Sequence, residues 1–253
     1  MKRVVPLFLA VACLTATGAV QAQQSTTQES ESNWSFSANL GVVSDYRFRG
    51  LMQTNGKPAI QGGFDINHSS GFYIGNWNSS ISWLSDSDPD VSSNVEMDFY
   101  AGYVHTIAED FTLDVGLLHY YYPGRYPDGF NDPDTTEAYI GLTYGPVSFK
   151  YSHSLTDLFG APDSKNSQYY DLGLALPTGI WDLNLNAHVG HQKIRNASDA
   201  NYTDWSLGLS RDFGNFTISL TYYDTNADRD LYTNSYGKYM GKGVAVLGIS
   251  AAF

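Results

Sequence analysis

The sequence predicts an all-β fold, a single antiparallel up-and-down transmembrane β-barrel of about 12 strands. Three observations favour this class. Apolar and polar residues alternate with a period of two along most of the chain. Long and short connections between the alternating segments follow one another along the chain, and aromatic residues of the apolar face lie near the ends of the predicted strands. No segment has a convincing helical period, so we expect a chain built almost wholly of strands.

The N-terminal segment has the form of a secretory signal peptide. Lys2 and Arg3 are followed by an apolar stretch over 4–20, and Val20-Gln21-Ala22 is a small-x-small cleavage signal. We therefore predict a signal peptide over 1–22 and a disordered polar lead-in over 23–33. The barrel is predicted over 34–253.

Composition excludes several classes of protein. The 253 residues carry a formal net charge of −12, which does not suit a generic nucleic-acid binder. The chain has one cysteine, which is too few for a disulfide scaffold or a cysteine-based zinc site. Beyond the N-terminus there is no apolar run of about 18 residues, the length that a membrane-spanning helix needs.

The alternation defines twelve strands, and its clearest case is Trp181 to Gly190. Glycines, together with Asn76 and Asn78, predict a bulge or a kink within 58–84. The predicted strands are 34–48, 58–68, 71–84, 95–103, 111–117, 138–144, 147–153, 170–176, 181–190, 205–209, 216–222 and 245–253.

The lengths of the connections follow their order in the chain. Long and short ones interleave strictly, as in an even-stranded barrel with tight turns on the periplasmic rim and longer loops on the extracellular rim. The long connections are 51–57, 85–93, 123–134, 155–166, 191–201 and 224–240. The short ones are 69–70, 108–110, 145–146, 177–179 and 212–214.

The apolar face is predicted to face lipid. Its aromatic members suit the two membrane–water interfaces, and the polar face would leave many unpaired groups in a soluble core. The chain ends on Phe253, which is typical of outer-membrane barrels. We therefore predict a location in the cell outer membrane of a Gram-negative bacterium. The expected aromatic girdle is Trp34, Tyr46, Trp83, Trp181, Trp205 and Phe253, with further strand-end tyrosines at 120–122, 144, 169 and 222.

Several motifs in the first third of the mature chain resemble the TorF family of proteobacterial porin-like proteins, long catalogued as conserved hypothetical proteins. The matching segments are 44–50 (SDYRFRG), 53–65 (QTNGKPAIQGGFD), 71–77 (GFYIGNW) and Ser82-Trp83. The remainder matches in pattern and length. This resemblance implies an outer-membrane β-barrel with a role in transport. It implies no particular substrate and no catalytic residue.

Alternate side chains of each predicted strand point inward, and this inward set includes charged residues. Nine inward acids against three inward bases predict an acidic channel for passive diffusion of small polar or cationic solutes. An arginine pair on one wall would face carboxylates on the other. Equally, these side chains could pair with one another and fill the lumen, so pore and plug both stay open. The predicted pore-lining residues are Asp45, Arg47, Arg49, Glu96, Asp98, Glu137 and Lys150, and the other inward acids are Asp65, Asp114, Asp171, Asp182 and Asp204.

Two other functions are weighed against a channel. A plugged structural or adhesion barrel would bind partners through its acidic loops. A barrel lipid hydrolase would use histidines on the outer wall, where His105, His119 and His153 fall, but no Gly-x-Ser-x-Gly elbow accompanies them. We predict that the protein is not an enzyme.

No cofactor and no metal are predicted. Asp86-Ser87-Asp88-Pro89-Asp90 begins like a calcium loop, but it lacks the glycine and the glutamate of that motif. The expected partners are outer-membrane lipids, the barrel-assembly machinery and small solutes, with a homo-oligomer possible and no nucleic acid.

Overall fold

The structure is a computed structural model in which residues 32–253 are described. The predicted signal peptide, and the predicted lead-in as far as residue 31, lie outside the described residues. Ser32 and Asn33 precede the first strand and belong to no regular element.

Twelve antiparallel strands close into one barrel, and a small hairpin lies apart from them. The wall follows chain order from β4 to β14, and β1 closes it between β14 and β4. No helix within the described residues has the length and hydropathy of a membrane-spanning helix. The barrel strands are β1 (Trp34–Val43), β4 (Ala59–His68), β5 (Phe72–Ser80), β6 (Val95–Ala108), β7 (Phe111–Tyr121), β8 (Thr135–Tyr144), β9 (Val147–Ser154), β10 (Gln168–Pro177), β11 (Leu183–Lys193), β12 (Tyr202–Phe213), β13 (Phe216–Thr225) and β14 (Val244–Ala252), and the other elements are β2 (Arg47–Phe48), β3 (Leu51–Met52), a short helix α1 (Trp83–Ser87) and one 3-10 turn (Ser198–Ala200).

The two ends of the chain join to close the wall. β1 pairs with β14 from Asn39↔Ala252 to Val43↔Gly248. The Ala38 amide donates to the Phe253 carbonyl at 3.0 Å, and the Phe253 amide donates back at 2.9 Å. Each strand of the wall therefore has a neighbour on both sides, which is the condition for a sheet that crosses lipid. The predicted fold class is confirmed.

Each predicted strand overlaps one barrel strand, and three of them extend by more than one residue beyond the observed boundary. The first strand ends at Val43 and the third at Ser80, where α1 follows, so neither reaches its predicted end. Trp181 and Asp182 have φ values of 53° and 56°, and β11 therefore begins only at Leu183.

The bulge predicted within 58–84 is wrong. β4 and β5 pair in continuous register from Gln61↔Ser79 to Asn67↔Tyr73. The register shifts instead between Thr106 and Ala108, near the turn that follows β6. Asn76 is in register with the outward Phe64, so a polar residue interrupts the apolar set without breaking the pairing, which is why the sequence pattern was misleading here.

The two faces of the wall have opposite chemistry. Outward side chains are large and apolar, as with Phe36, which is 68% exposed, and Leu220. Inward side chains are Ser, Thr, Asn, Gly, Tyr and carboxylates, such as Thr112, Asn186 and Ser210. A soluble barrel has the reverse arrangement, with its apolar face inside. The wall is therefore of the kind that lipid covers.

Tyrosine rings pack over inward glycines on neighbouring strands. A Cβ added to Gly116 would lie 2.6 Å from Cζ of Tyr139 and from the Ala101 carbonyl oxygen. Tyr73 covers Gly102, Tyr100 covers Gly75 and Tyr169 covers Gly190 in the same way. The absence of a side chain at these positions lets a ring lie flat along the inner wall. Much of the lumen is thus filled by tyrosine.

We predict that Gly116→Ala destabilises the barrel by about 1–3 kcal/mol, because the new methyl group overlaps the Tyr139 ring and a carbonyl that cannot move freely. Gly141→Ala is the matched control, since a Cβ there meets Asp114 only at 3.6 Å. Unfolding in urea, followed by tryptophan fluorescence of the detergent-refolded protein, measures both. Equal midpoints for the two variants would contradict the packing described here.

Candidate functional site: a hairpin inside the lumen

The connection over 44–58 folds into the barrel instead of projecting from it. Its strands β2 and β3 form a two-residue ladder, here called the inner hairpin. Arg49 and Gly50 make its turn with φ values of 47° and 77°. A Cβ at Gly50 would lie 2.6 Å from Cβ of Asp204, so only glycine allows this approach to the far wall.

The backbone of the inner hairpin is fixed by other loops of the same rim. The Met52 amide donates to the Met240 carbonyl at 3.0 Å, and the Ser82 amide donates to the Gln53 carbonyl at 2.8 Å. The Lys238 ammonium also contacts the Asn55 carbonyl. The first, second and last long loops therefore close over one another at the rim that carries the long loops.

Arg49 ties the tip of the inner hairpin to the opposite wall. Its guanidinium donates to both carboxylate oxygens of Glu137 on β8, at 2.9 and 2.7 Å. It also donates to Gln192 on β11 at 2.8 Å and lies 4.2 Å from the ring centroid of Tyr169. Both partners of the ion pair are buried. A charge pair with this geometry holds the hairpin across the lumen.

Arg47 has a different set of partners. It donates to its neighbour Asp45 at 2.9 and 2.6 Å, and to the carbonyls of Met240 and Lys242 at 2.9 and 3.0 Å. The prediction of an arginine pair on the barrel wall is therefore wrong. Asp45, Arg47 and Arg49 lie on or beside the inner hairpin, and only Arg49 meets a carboxylate of the far wall.

Tyrosine hydroxyls donate hydrogen bonds to several lumen carboxylates. Glu96 accepts from Tyr46 at 2.7 Å and from Tyr122 at 2.9 Å. Burial raises the pKa of the Tyr46 phenol, and the Glu96 carboxylate raises it further, so this hydroxyl stays a donor. The remaining pairs are Tyr100 to Asp65 at 2.6 Å, Tyr73 to Asp114 at 2.7 Å, and Tyr169 to Asp204 at 3.1 and 3.2 Å.

These pairs correct part of the predicted girdle. Tyr46 is 1% exposed inside the barrel, and Tyr120, Tyr122 and Tyr169 are also buried. Trp83 lies in α1 and packs edge-on against Tyr122 at a centroid distance of 5.5 Å. A tyrosine at the end of a strand can lie on the outer or on the inner face of the wall, and the sequence pattern does not distinguish these two positions. The predicted members with exposed side chains are Trp34, Trp181, Trp205 and Phe253, together with Tyr121, Tyr144 and Tyr222.

Asp98 and Lys150 face the lumen but stand apart from these pairs. Asp98 is 3% exposed, and its Oδ1 has no hydrogen-bond partner. The Lys150 ammonium lies 4.1 Å from the ring centroid of Tyr139. The alternation of inward and outward positions predicted that both residues lie on the inner face. It did not predict which charged side chains of the lumen would pair with one another.

Asp171 and Asp204, both predicted lumen acids, contact the same histidine. The His188 ring contacts Asp171 through Nδ1 and Asp204 through Nε2, both at 2.7 Å. Asp182 is the exception, because it lies in a turn beside Arg211 at 3.5 Å and is largely exposed. Asp212, which was assigned to a turn, instead lies on the inner face and accepts from Thr217 at 2.6 Å.

The other singled-out residues form no catalytic or metal constellation within 32–253. His119 contacts Thr136 at 3.0 Å, His153 contacts Tyr151 at 2.9 Å, and His105 is exposed. Asp86 belongs to α1, so the segment that begins like a calcium loop is partly helical. The described residues contain no group of three His, Cys, Asp or Glu side chains that could hold a metal ion.

We predict that Arg49→Gln lowers the free energy of unfolding by about 3–5 kcal/mol, because it leaves the buried Glu137 carboxylate without its counter-charge. The double variant Arg49→Gln with Glu137→Gln recovers most of this loss. Arg195→Gln, in an exposed loop, is the control. Urea unfolding of the refolded barrels measures all three, and a single variant as stable as the parent would refute the importance of this pair.

The fold is similar to that of solved porins. The KdgM porin, solved in complex with disordered oligogalacturonate, is 8% identical with a TM-score of 0.51, and the alignment covers 86% of this chain and 98% of that chain. The NanC porin is 12% identical with a TM-score of 0.53, covering 86% and 99%. Outer membrane phospholipase A from Escherichia coli is 12% identical, covering 85% and 91%, at a TM-score of only 0.43.

Among curated proteins no match was found. None of these comparisons carries the TorF name, so that resemblance stays a prediction. One family model, described as a bacterial protein of unknown function (Gcw_chp), matches residues 27–253, and the chain therefore belongs to this family.

Proposed function

We propose that this protein is an outer-membrane diffusion channel for small polar or cationic solutes, in keeping with the transport role that the TorF resemblance implies. The observation that carries the proposal is the inverted barrel, apolar outside and polar inside, with the inner hairpin narrowing its lumen. Small neutral side chains line the half near the short turns, such as Ser37, Asn39, Ser148 and Ser219.

The charge of the lumen supports a preference for cations. Tyrosine hydroxyls stabilise Asp65, Asp114 and Glu96 without neutralising them, because a phenol donates a hydrogen bond and carries no charge. Arg49 offsets Glu137 and Arg47 offsets Asp45. The carboxylates that remain make the passage acidic, and rings of such groups favour cations in channels.

A plugged barrel with binding loops is the second candidate. It is favoured by the filled half of the lumen near the long loops, where Tyr46, Tyr120 and Glu96 are buried. The contacts between long loops, including Ser235 with the Asp86 carbonyl, make a continuous outer surface that could bind a partner. The two candidates differ in one property: only the channel passes current.

We predict discrete, cation-selective conductance steps from the refolded protein in a planar bilayer. Arg49→Ala should raise both the conductance and the cation preference, because it frees the inner hairpin from β8 and β11 and leaves Glu137 without a counter-charge. A salt gradient gives the selectivity, and it should weaken at high salt, where screening shortens to about 3 Å.

Arg211→Ala is the control, since this side chain lies on the outer face beside Phe213. A silent bilayer containing correctly folded barrel, in both the parent and Arg49→Ala, would exclude the channel and favour the plugged barrel. An unchanged conductance and selectivity in Arg49→Ala would show that the inner hairpin is not the constriction.

A further inference from the structure

Two of the long loops enclose a cleft above the wall. The loop over 155–167 follows β9 and the loop over 194–201 follows β11, so that β10 lies between them. The Arg195 amide donates to Oγ of Ser167, and the Asn196 side chain donates to the Asp163 carbonyl, both at 2.9 Å. The cleft has a volume of about 670 Å³ and is here called the loop cleft. Its lining residues are Asp157, Asp163, Lys165, Asn166, Arg195 and Asn196.

The loop cleft contains two positive charges that have no counter-charge from the protein. Lys165 and Arg195 are exposed, and neither takes part in an ion pair within 4.0 Å among residues 32–253. Backbone hydrogen bonds hold both residues in place, since the Lys165 amide donates to Asp157 at 2.9 Å. An ammonium and a guanidinium in this state are suited to an anion, and the planar guanidinium to phosphate in particular.

The loop cleft also contains groups that a bare phosphate would not satisfy. The Asp157 and Asp163 carboxylates would repel it, and the two asparagine amides are neutral. A fitting ligand therefore combines an anionic group with hydrogen-bond donors of its own. Sugar hydroxyls are such donors, and they also accept from amides. The lining favours a phosphorylated sugar over a simple anion.

The outer face of the wall beneath the loop cleft is graded from polar to apolar. Strands β9, β10 and β11 pair in register, so their outward side chains form rows across the three strands. The row next to the cleft is polar and carries a lysine, the second is aromatic, and the third is apolar and exposed. From the cleft downward, the rows are His153-Gln168-Lys193, Tyr151-Tyr170-His191 and Phe149-Leu172-Val189.

The loop cleft is continuous with these rows. Asn166 lines the cleft, and its Oδ1 contacts Nε2 of His153 at 3.2 Å. Lys193 precedes Arg195 by two residues and adds a third positive charge at the top of the wall. Polar groups at the top, aromatic rings at the interface and apolar side chains below match the head, the boundary and the acyl chains of a lipid.

We propose that the loop cleft and the three rows beneath it bind a phosphorylated glycolipid of the outer leaflet. Lys165 and Arg195 would hold the phosphate, and the carboxylates and amides of the cleft would bind the sugar. The acyl chains would lie over Leu172 and its neighbours. With the long loops on the outer side of the membrane, as predicted, the rows lie in the leaflet where such lipids occur. The site is on the outside of the barrel and does not depend on an open lumen.

The test is binding of lipid A, an acylated glucosamine disaccharide with two phosphates, to the refolded barrel in detergent. Native mass spectrometry counts the bound lipid and gives an apparent dissociation constant from a titration. We expect a complex with one lipid A. The double variant Lys165→Gln with Arg195→Gln should raise the dissociation constant by about tenfold or more, because it removes both charged partners of the phosphate. Lipid A stripped of its phosphates should bind the parent equally weakly.

A double variant elsewhere on the same rim is the matched control. Arg125→Gln with Lys57→Gln removes two exposed positive charges from other long loops and should leave the dissociation constant unchanged. Migration on an unheated gel verifies that each variant folds.

Two further ligands test the class of lipid. Phosphatidylglycerol has a phosphate and acyl chains without the sugar, and glucosamine 1-phosphate has the sugar and phosphate without the chains. Both should bind more weakly than lipid A. Equal binding of either one, no binding of lipid A to the parent, or equal losses in the two double variants would each overturn the glycolipid site.

Discussion

The structure depends on one constraint, the pairing of every wall strand with two neighbours. Once β1 closes on both β14 and β4, each strand of the wall has a hydrogen-bonded neighbour on both sides, and alternate side chains must point to opposite media. An apolar outer face then fixes a polar inner face. The small residues near the short turns and the buried carboxylates follow from this polar inner face. The buried carboxylates in turn need hydrogen-bond donors.

Tyrosine is the residue that meets this need. Its ring packs over an inward glycine, as Tyr73 does over Gly102, and its hydroxyl reaches a carboxylate such as Asp114. An arginine in the same place would add a positive charge, whereas a phenol donates a hydrogen bond to the carboxylate without adding a charge. The high tyrosine content of this acidic chain therefore has two origins, an outer belt and an inner lattice of donors.

The wall was predictable from the sequence because three local signals agree with one another. They are the two-residue period of the strands, the alternation of long and short loops, and the terminal Phe253. The inner hairpin was not. Tyr46, Arg47 and Phe48 continue the alternation of the first strand, so a segment that turns inward looks like an extension of the wall. Arg49 and Gly50 mark the turn, but only contact with Asp204 and Glu137, far away in the sequence, decides that it folds into the lumen. Which polar side chains pair with one another in the lumen is likewise decided by contacts between residues that lie far apart in the sequence.

The inner hairpin also explains why filling and passage need not exclude each other. Arg47 bonds to carbonyls of the last long loop, while Arg49 bonds to the far wall. These charged contacts add to the backbone hydrogen bonds of the hairpin and to the packing of Phe48 against aromatic rings of the lumen. Charge-assisted hydrogen bonds are directional and few, unlike an apolar core, and each one that a solute or an ion replaces weakens the hold on the hairpin. The polar groups that help to close the lumen can in this way exchange partners with an ion or a solute that enters it.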